Sequence, residues 1–238
     1  MALFDKIVAT ISKNGPLSLA SYISHALGDP DYGYYQTRDP FGTAGDFVTA
    51  PEISGLFGEM CGLYLAHIVE LSDLCDPAIF EFGPGRASLI SDMRHVWQHI
   101  MPSLTTAPVH LLETSPLLRC IQQDSLSDVT LYFHENLDHL PAQPIFAIAN
   151  EFFDALPIKQ FFKRQDDWYE KFVDLTNPKD AKFNEFKSNI KLIEKKLNFE
   201  ISKDQNVIEY SPDAFKYLKI IGNIIEKNEG GILIIDYG

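Results

Sequence analysis

The residues most able to do chemistry sit at the ends of short apolar runs. In "IFEFGPGRASLI" (79–90) the run carries Glu81 and is followed by Gly83, Pro84, Gly85 and Arg86. "VHLLETSP" brings Glu113, and "IFAIANEFFDALP" brings Asn150, Glu151 and Asp154. Gly83 and Gly85 permit a sharp bend and a close approach of backbone to a ligand that a Cβ would push away. A helix starting near Arg86 points its free N–H groups at the same place. Glu113, ending the next strand, stands where a carboxylate accepts both hydroxyls of a ribose. A tight strand-to-helix turn accounts for the glycines alone equally well. It is Glu113 at the next strand end that favours a nucleoside-containing cofactor.

The loop also bears on which nucleoside. A dinucleotide must seat a pyrophosphate, and a third glycine normally brings helix and strand together. Here Pro84 stiffens the loop, and Ala87 and Ser88 stand where further glycines would be. The spacing to Glu113 also exceeds the usual ~20 residues. S-adenosylmethionine, smaller and ending in an amino acid, suits E-x-G-P-G better. Glu81 then lies near the methionine ammonium, and no phosphate has to be neutralised. A nicotinamide-dependent oxidoreductase is the rival enzyme class.

Such residues need a frame. From Ala78 onward short apolar strands alternate with helices, up to "ILIIDYG" at the end. Strands apolar throughout and separated by helices imply a parallel sheet covered on both faces. The fold class is therefore α/β, doubly wound, and its ligands bind beyond the carboxyl ends of the strands. Residues 1–77 are read as N-terminal helices and an active-site loop packed on the core. Residues 78–238 are the core itself, with an insertion at about 159–206, all in one compact unit. Within the first part, Pro51 opens a helix whose apolar face comprises Ile53, Leu56, Phe57, Met60, Leu63, Tyr64 and Ile68. Lys159 to Leu175 alternates around Asp166-Asp167 and predicts a β-hairpin. The lysine-rich stretch after it reads as a weakly patterned surface insertion.

Bulk properties exclude several classes. The 238 residues carry a net charge of −13, which argues against a nucleic-acid partner, since phosphate binding draws on clustered Lys and Arg. No uncharged apolar run approaches the ~20 residues of a membrane helix. Cys61, Cys75 and Cys120 are widely spaced without a C-x-x-C, so neither a disulfide framework nor a zinc site is expected, and a reducing, cytoplasmic compartment fits. His134 and His139 are five apart, not the four of H-E-x-x-H, and His95 and His99 lack a third ligand. No metal is expected.

Six segments, "YGYY", "FGTAGDFVTAPEISGLFGEM", "EFGPGRASL", "LLETSPLLRCIQ", "IANEFFDALPIKQF" and "GGILIIDYG", closely resemble, in this order, the MidA-like family of S-adenosylmethionine-dependent methyltransferases of bacteria and mitochondria. The resemblance spans nearly the whole chain. It implies a class I methyltransferase, Rossmann-like fold, with the inserted hairpin and the N-terminal helices added to it. It implies a cofactor on Glu81, Gly83, Gly85, Arg86 and Glu113, with the Gly45–Glu52 loop over it contributing Asp46, Thr49 and Glu52. It also implies a protein arginine substrate, and the mitochondrial member is needed for assembly of respiratory complex I. Glu151 is then the carboxylate that orients the guanidinium, bidentately, with Asn150 and Asp154 beside it. A pair capping the next helix is the bland alternative for Asn150 and Glu151, and a self-satisfied turn the alternative for the loop. The family loop reads G-P-G-R-G-T where this chain has Ala87 and Ser88. The chain also stops at Gly238, short of two further strands, so the C-terminal strands are expected to be missing and "IIDYG" to form an edge. On that account a non-catalytic assembly or binding module is the second alternative. The compartment implied is the bacterial cytoplasm, or the mitochondrial matrix if a leader has been removed.

Overall fold

The computed structural model describes residues 2–40, 42, 45–46, 49–175 and 182–237. Phe47 and Val48 of the expected active-site loop lie outside the described residues, as do 176–181 of the expected insertion. In chain order the elements begin with α1 (Leu3–Asn14), β1 (Leu17–Ser18), α2 (Leu19–Gly28), α3 (Tyr34–Thr37), α4 (Ala50–Ile53) and α5 (Gly55–Ser72). Then come β2 (Ala78–Phe82), α6 (Ser88–Ile100), α7 (Pro102–Thr105), β3 (Val109–Leu112), α8 (Pro116–Ser125), β4 (Leu131–His134) and β5 (Ile145–Asn150). The remainder is β6 (Lys159–Arg164), β7 (Asp167–Asp174), β8 (Lys182–Ser188), α9 (Ile190–Leu197), β9 (Val207–Tyr210), α10 (Pro212–Asn228) and β10 (Gly230–Ile235).

The chain forms two compact units, one of residues 1–34 and 156–215, the other of 35–155 and 216–238. This division differs from the 77/78 boundary read from the sequence. The reason lies in the first unit, where β1 pairs antiparallel with β7, and Ile7 and Ile11 of α1 share a core with Val173 and Leu175. The first helix therefore belongs with the inserted sheet. The predicted hairpin is β6–β7, its turn one residue earlier than expected, at Gln165-Asp166, since Arg164 pairs with Asp167. Gln165 takes the left-handed conformation that the turn needs. The stretch read as weakly patterned holds β8 and α9, and β9 follows directly after it. They were hard to see because β8 is exposed along most of its length, Phe183 and Phe186 included.

The second unit holds the parallel sheet, in the order β10-β5-β2-β3-β4. Every residue of β2 and β3 is buried, and all of β5 but Asn150, which is why these strands read as apolar runs, interrupted only by Glu81 and His110. Alternate residues face opposite ways. Ile79, Val109, Leu111, Phe146 and Ile148 pack with α5 and α6, whereas Ala78, Phe80, Phe82, Ala147 and Ala149 pack with Ile221 of α10. The strand order reverses direction between β2 and β5. A ligand crevice belongs there, beyond the carboxyl ends of the strands.

The face predicted for α5 is corrected. Leu56, Met60, Leu63 and Tyr64 are exposed, as is Ile53 before them, and the buried side is Gly58, Cys61, Gly62, Leu65, Ala66 and Val69. Small residues win the inner face because α6 passes so close. A Cβ on Gly58 would stand 2.5 Å from Cβ of Asp92, and one on Gly62 would stand 2.9 Å from Cα of Met93. The indole of Trp97 donates to the Gly62 carbonyl across the same contact (2.8 Å). Only Phe57 and Ile68 of the predicted face pack against the core. Nor does Pro51 open one continuous helix. It lies in the short α4, and Ser54 then caps α5, accepting from the Leu56 N–H.

Candidate cofactor site

Glu81 sits one residue before the end of β2, level with Leu111 of β3 and Ile148 of β5. The sheet buries it almost wholly, Oε2 has no hydrogen-bond partner among the described residues, and burial pushes its carboxyl up to about 8. Across the crevice Asn150 ends β5, and its Oδ1 is also buried without a partner among the described residues. A buried polar atom without a partner costs roughly 1–3 kcal/mol. Two such acceptors beside one recess are thus each left without a donor among the described residues.

The loop after β2 alternates. Gly83, Gly85 and Ala87 all stand in the left-handed region, at φ +56°, +53° and +66°. Gly83 also has to be glycine for space, because its Cβ would lie 2.7 Å from the Phe152 ring. In the G-P-G-R-G pattern implied by the resemblance, glycine stands at all three of these positions. In this chain an alanine occupies the third, buried at the start of α6. The alternation holds the loop open over the helix start, and Ala87 N–H closes it by donating to the Pro84 carbonyl (2.7 Å).

Glu113 follows β3. Its Oε1 accepts from the N–H groups of Thr114 (2.8 Å) and Ser115 (2.7 Å), and its Oε2 from Nε2 of Gln122 (3.1 Å). Burial raises its pKa while these hydrogen bonds oppose the rise. The same Nε2 donates to the Gly85 carbonyl (2.7 Å), so one amide ties the ribose-type acid to the glycine loop. Gln122 was missed by sequence reading. Its signal was a polar residue one turn after Leu118 on the apolar face of α8, and both are buried.

The recess measures about 430 Å³ with its open mouth included, and is lined by Thr49, Glu52, Glu81, Gly83, Gly85, Arg86, Asn150 and Glu151 among others. Eight of the eleven residues expected at the site thus surround one space. Glu113 reaches it through Gln122. Asp46 does not line it; it is exposed and paired with Arg38 (3.5 Å). Asp154 is exposed on the turn that carries Glu151. Glu52 accepts from the Ser88 hydroxyl, tying α4 to the start of α6. Arg86 pairs with Asp39 (3.6 Å). Burial, and then Asp154, raise the pKa of Glu151, whose carboxylate accepts the Ala50 N–H. A wider groove in the first unit, lined by Ser18, Ser21, His25, Lys159 and Asp213, has no comparable convergence, and its Lys159 is paired with Glu170 (3.0 Å).

A parallel sheet with its crevice at the β2/β5 switch point, a glycine loop after β2 and an acid after β3 define a Rossmann-like, methyltransferase-type protein. The family model described as S-adenosyl-L-methionine-dependent methyltransferase matches residues 60–238, and the chain belongs to that family. Among curated relatives, the protein arginine methyltransferase NDUFAF7, mitochondrial, of Danio rerio is 30% identical over 99% of this chain. Its counterparts in Xenopus laevis and Caenorhabditis elegans are each 31% identical, over 100% and 98% of the chain. The chain spans about three fifths of the length of these relatives, 60–61%. A Burkholderia thailandensis protein crystallised with S-adenosyl-homocysteine superposes with a TM-score of 0.79 at 22% identity, over 99% of this chain and 62% of its own. A native structure from the same organism gives 0.74 at 23%, over 99% and 61%. At such identities the likeness speaks for the fold.

Proposed function

We propose that this chain is the cofactor-binding part of an S-adenosylmethionine-dependent methyltransferase that acts on arginine in a protein. The observation that carries the reading is the pair of buried, unpartnered acceptors, Glu81 Oε2 and Asn150 Oδ1, beside the glycine loop. What they lack is a cationic donor, and the α-ammonium of the cofactor supplies one. A pyrophosphate brings further acceptors and no donor to Glu81 Oε2 and Asn150 Oδ1, which disfavours a nicotinamide dinucleotide. Glu113, already oriented by two backbone N–H groups, takes the ribose hydroxyls, with Gln122 yielding or sharing its bond.

The cofactor supplies a methyl group activated on a sulfonium. The chain's part is positioning and exclusion of water. Glu151, at the mouth of the recess, offers a carboxylate to a guanidinium in bidentate fashion. It holds the accepting nitrogen in line and takes the proton that nitrogen loses. The arginine specificity rests on the names of the relatives together with the carboxylates at the mouth. A respiratory complex I subunit as substrate, and residence in the mitochondrial matrix or a bacterial cytoplasm, extend the same reading. Three free cysteines suit such reducing compartments.

Calorimetric titration with S-adenosylmethionine, with NAD as the control, tests the cofactor. Saturable binding of the methyl donor alone is expected. Binding of NAD, or of neither by the folded chain, would overturn the assignment, and the latter would favour a docking module.

A further inference from the structure

The acceptor side of this reading depends on one tight turn, residues 151–155, that leaves β5. Glu151 stands on it at φ +48°, a conformation that disfavours a residue with a Cβ by roughly 1–2 kcal/mol. Neighbouring structure must therefore hold it. The ties come from the end of β10. Glu151 N–H donates to the Ile235 carbonyl (2.8 Å). Oδ2 of Asp236 accepts two further N–H groups of the turn, those of Phe153 (2.9 Å) and Asp154 (3.2 Å). Its Oδ1 accepts from Tyr237 N–H (2.9 Å), which fixes the carboxylate's own orientation. Burial, and then the nearby charge of Asp236, raise the pKa of Asp154. One carboxylate thus braces the segment that aims both Glu151 and Asp154.

We propose that Asp236 is a positioning residue for the methyl acceptor, setting where the Glu151 and Asp154 carboxylates stand. The inference rests on the arginine methyltransferase reading above. Asp236 lines no part of the cofactor recess, so its loss should be felt by the acceptor and not by the cofactor. A shift of about 1 Å in a positioning group can cost on the order of 100-fold in rate.

The experiment compares Asp236→Ala and Asp236→Asn in the full chain. With an arginine-containing protein extract as acceptor, Asp236→Ala should lower methylarginine formation about 10–100-fold. Its affinity for S-adenosylmethionine should stay within about twofold. Asp236→Asn keeps a carbonyl oxygen that can accept both N–H groups, and should recover activity to within about fivefold of the parent. Asp236→Asn as impaired as Asp236→Ala, or a parallel loss of cofactor affinity, would overturn the positioning role. Hydrogen exchange of the Phe153 and Asp154 amides is read alongside, without turnover. Protection should persist in the parent and Asp236→Asn and fall at least about tenfold in Asp236→Ala. If the parent forms no methylarginine, the arginine reading fails; equal exchange in all three proteins then defeats the brace separately.

Discussion

If Glu81 meets the cofactor's ammonium, cofactor binding must release a proton. The free chain holds this carboxyl near a pKa of about 8, through burial alone, against an ordinary 4.5. At pH 7 it is then about nine-tenths neutral, and ionising it costs about 1.4 kcal/mol. An α-ammonium titrates near ~8 as well, and must stay protonated to donate. Binding at pH 7 should therefore release about 0.9 proton from Glu81 and take up about 0.1 on the ligand, a net release of about 0.8. Affinity should rise about eightfold from pH 6 to 7 and about threefold more to pH 8, be greatest there, and fall beyond it as the free ligand loses its charge. Calorimetry at pH 7 in two buffers of different ionisation enthalpy counts the protons directly. Glu81→Gln should abolish the release and weaken binding about 10–100-fold, the worth of a charged hydrogen bond. For folding of the free chain the sign is opposite. A raised carboxyl pKa stabilises the fold fully below about 4.5, and this stabilisation is lost as pH rises through about 8. No net proton release at pH 6–7 would refute the reasoning, because either Glu81 is already ionised or the ammonium goes elsewhere.

Three substitutions probe the rest of the site. Gly85→Val places a β-branched residue at φ +53° and should abolish S-adenosylmethionine binding in titration; retained binding would remove the loop from the site. Ala87→Gly relieves about 1–2 kcal/mol of left-handed strain but gives up a buried methyl, worth about 0.8 kcal/mol, and roughly 0.4–1 kcal/mol of chain entropy. Denaturant unfolding should find it within about 1 kcal/mol of the parent, and a larger change either way contradicts this balance. Gln122→Ala strips the shared donor from the Gly85 carbonyl and Glu113 Oε2. It should cost about 2–4 kcal/mol in the same assay for two acceptors left without it, and should weaken cofactor binding.

The sheet and the glycine loop were legible because their signals are local. Buried parallel strands read as mostly apolar runs, and a chain that turns through three left-handed residues must use glycine or a small substitute. The acids at strand ends were legible for the same reason, since a strand's end places its side chain in the crevice whatever lies around it. The α5 face was not. Its larger apolar residues made the stronger pattern, yet Gly58, Cys61 and Gly62 face inward because α6 approaches too closely for anything larger. That approach depends on a helix some thirty residues further on.

The same distinction separates Glu151 from what holds it. "ANEFFD" announces two carboxylates beyond β5, but the brace comes from Asp236, more than eighty residues later in the chain. Asp236 reaches the turn only because β10 lies parallel to β5 with Ile235 level with Asn150. A residue that works by contacting reactants tends to sit in a motif, whereas one that works by holding another follows from strand order. Gln122 repeats the pattern on the cofactor side, joining the loop after β2 to the acid after β3. Both are polar groups whose partners become visible only once the sheet is assembled. Substitutions at these two positions should therefore separate along the crevice, Gln122→Ala acting on the cofactor and Asp236→Ala on the acceptor.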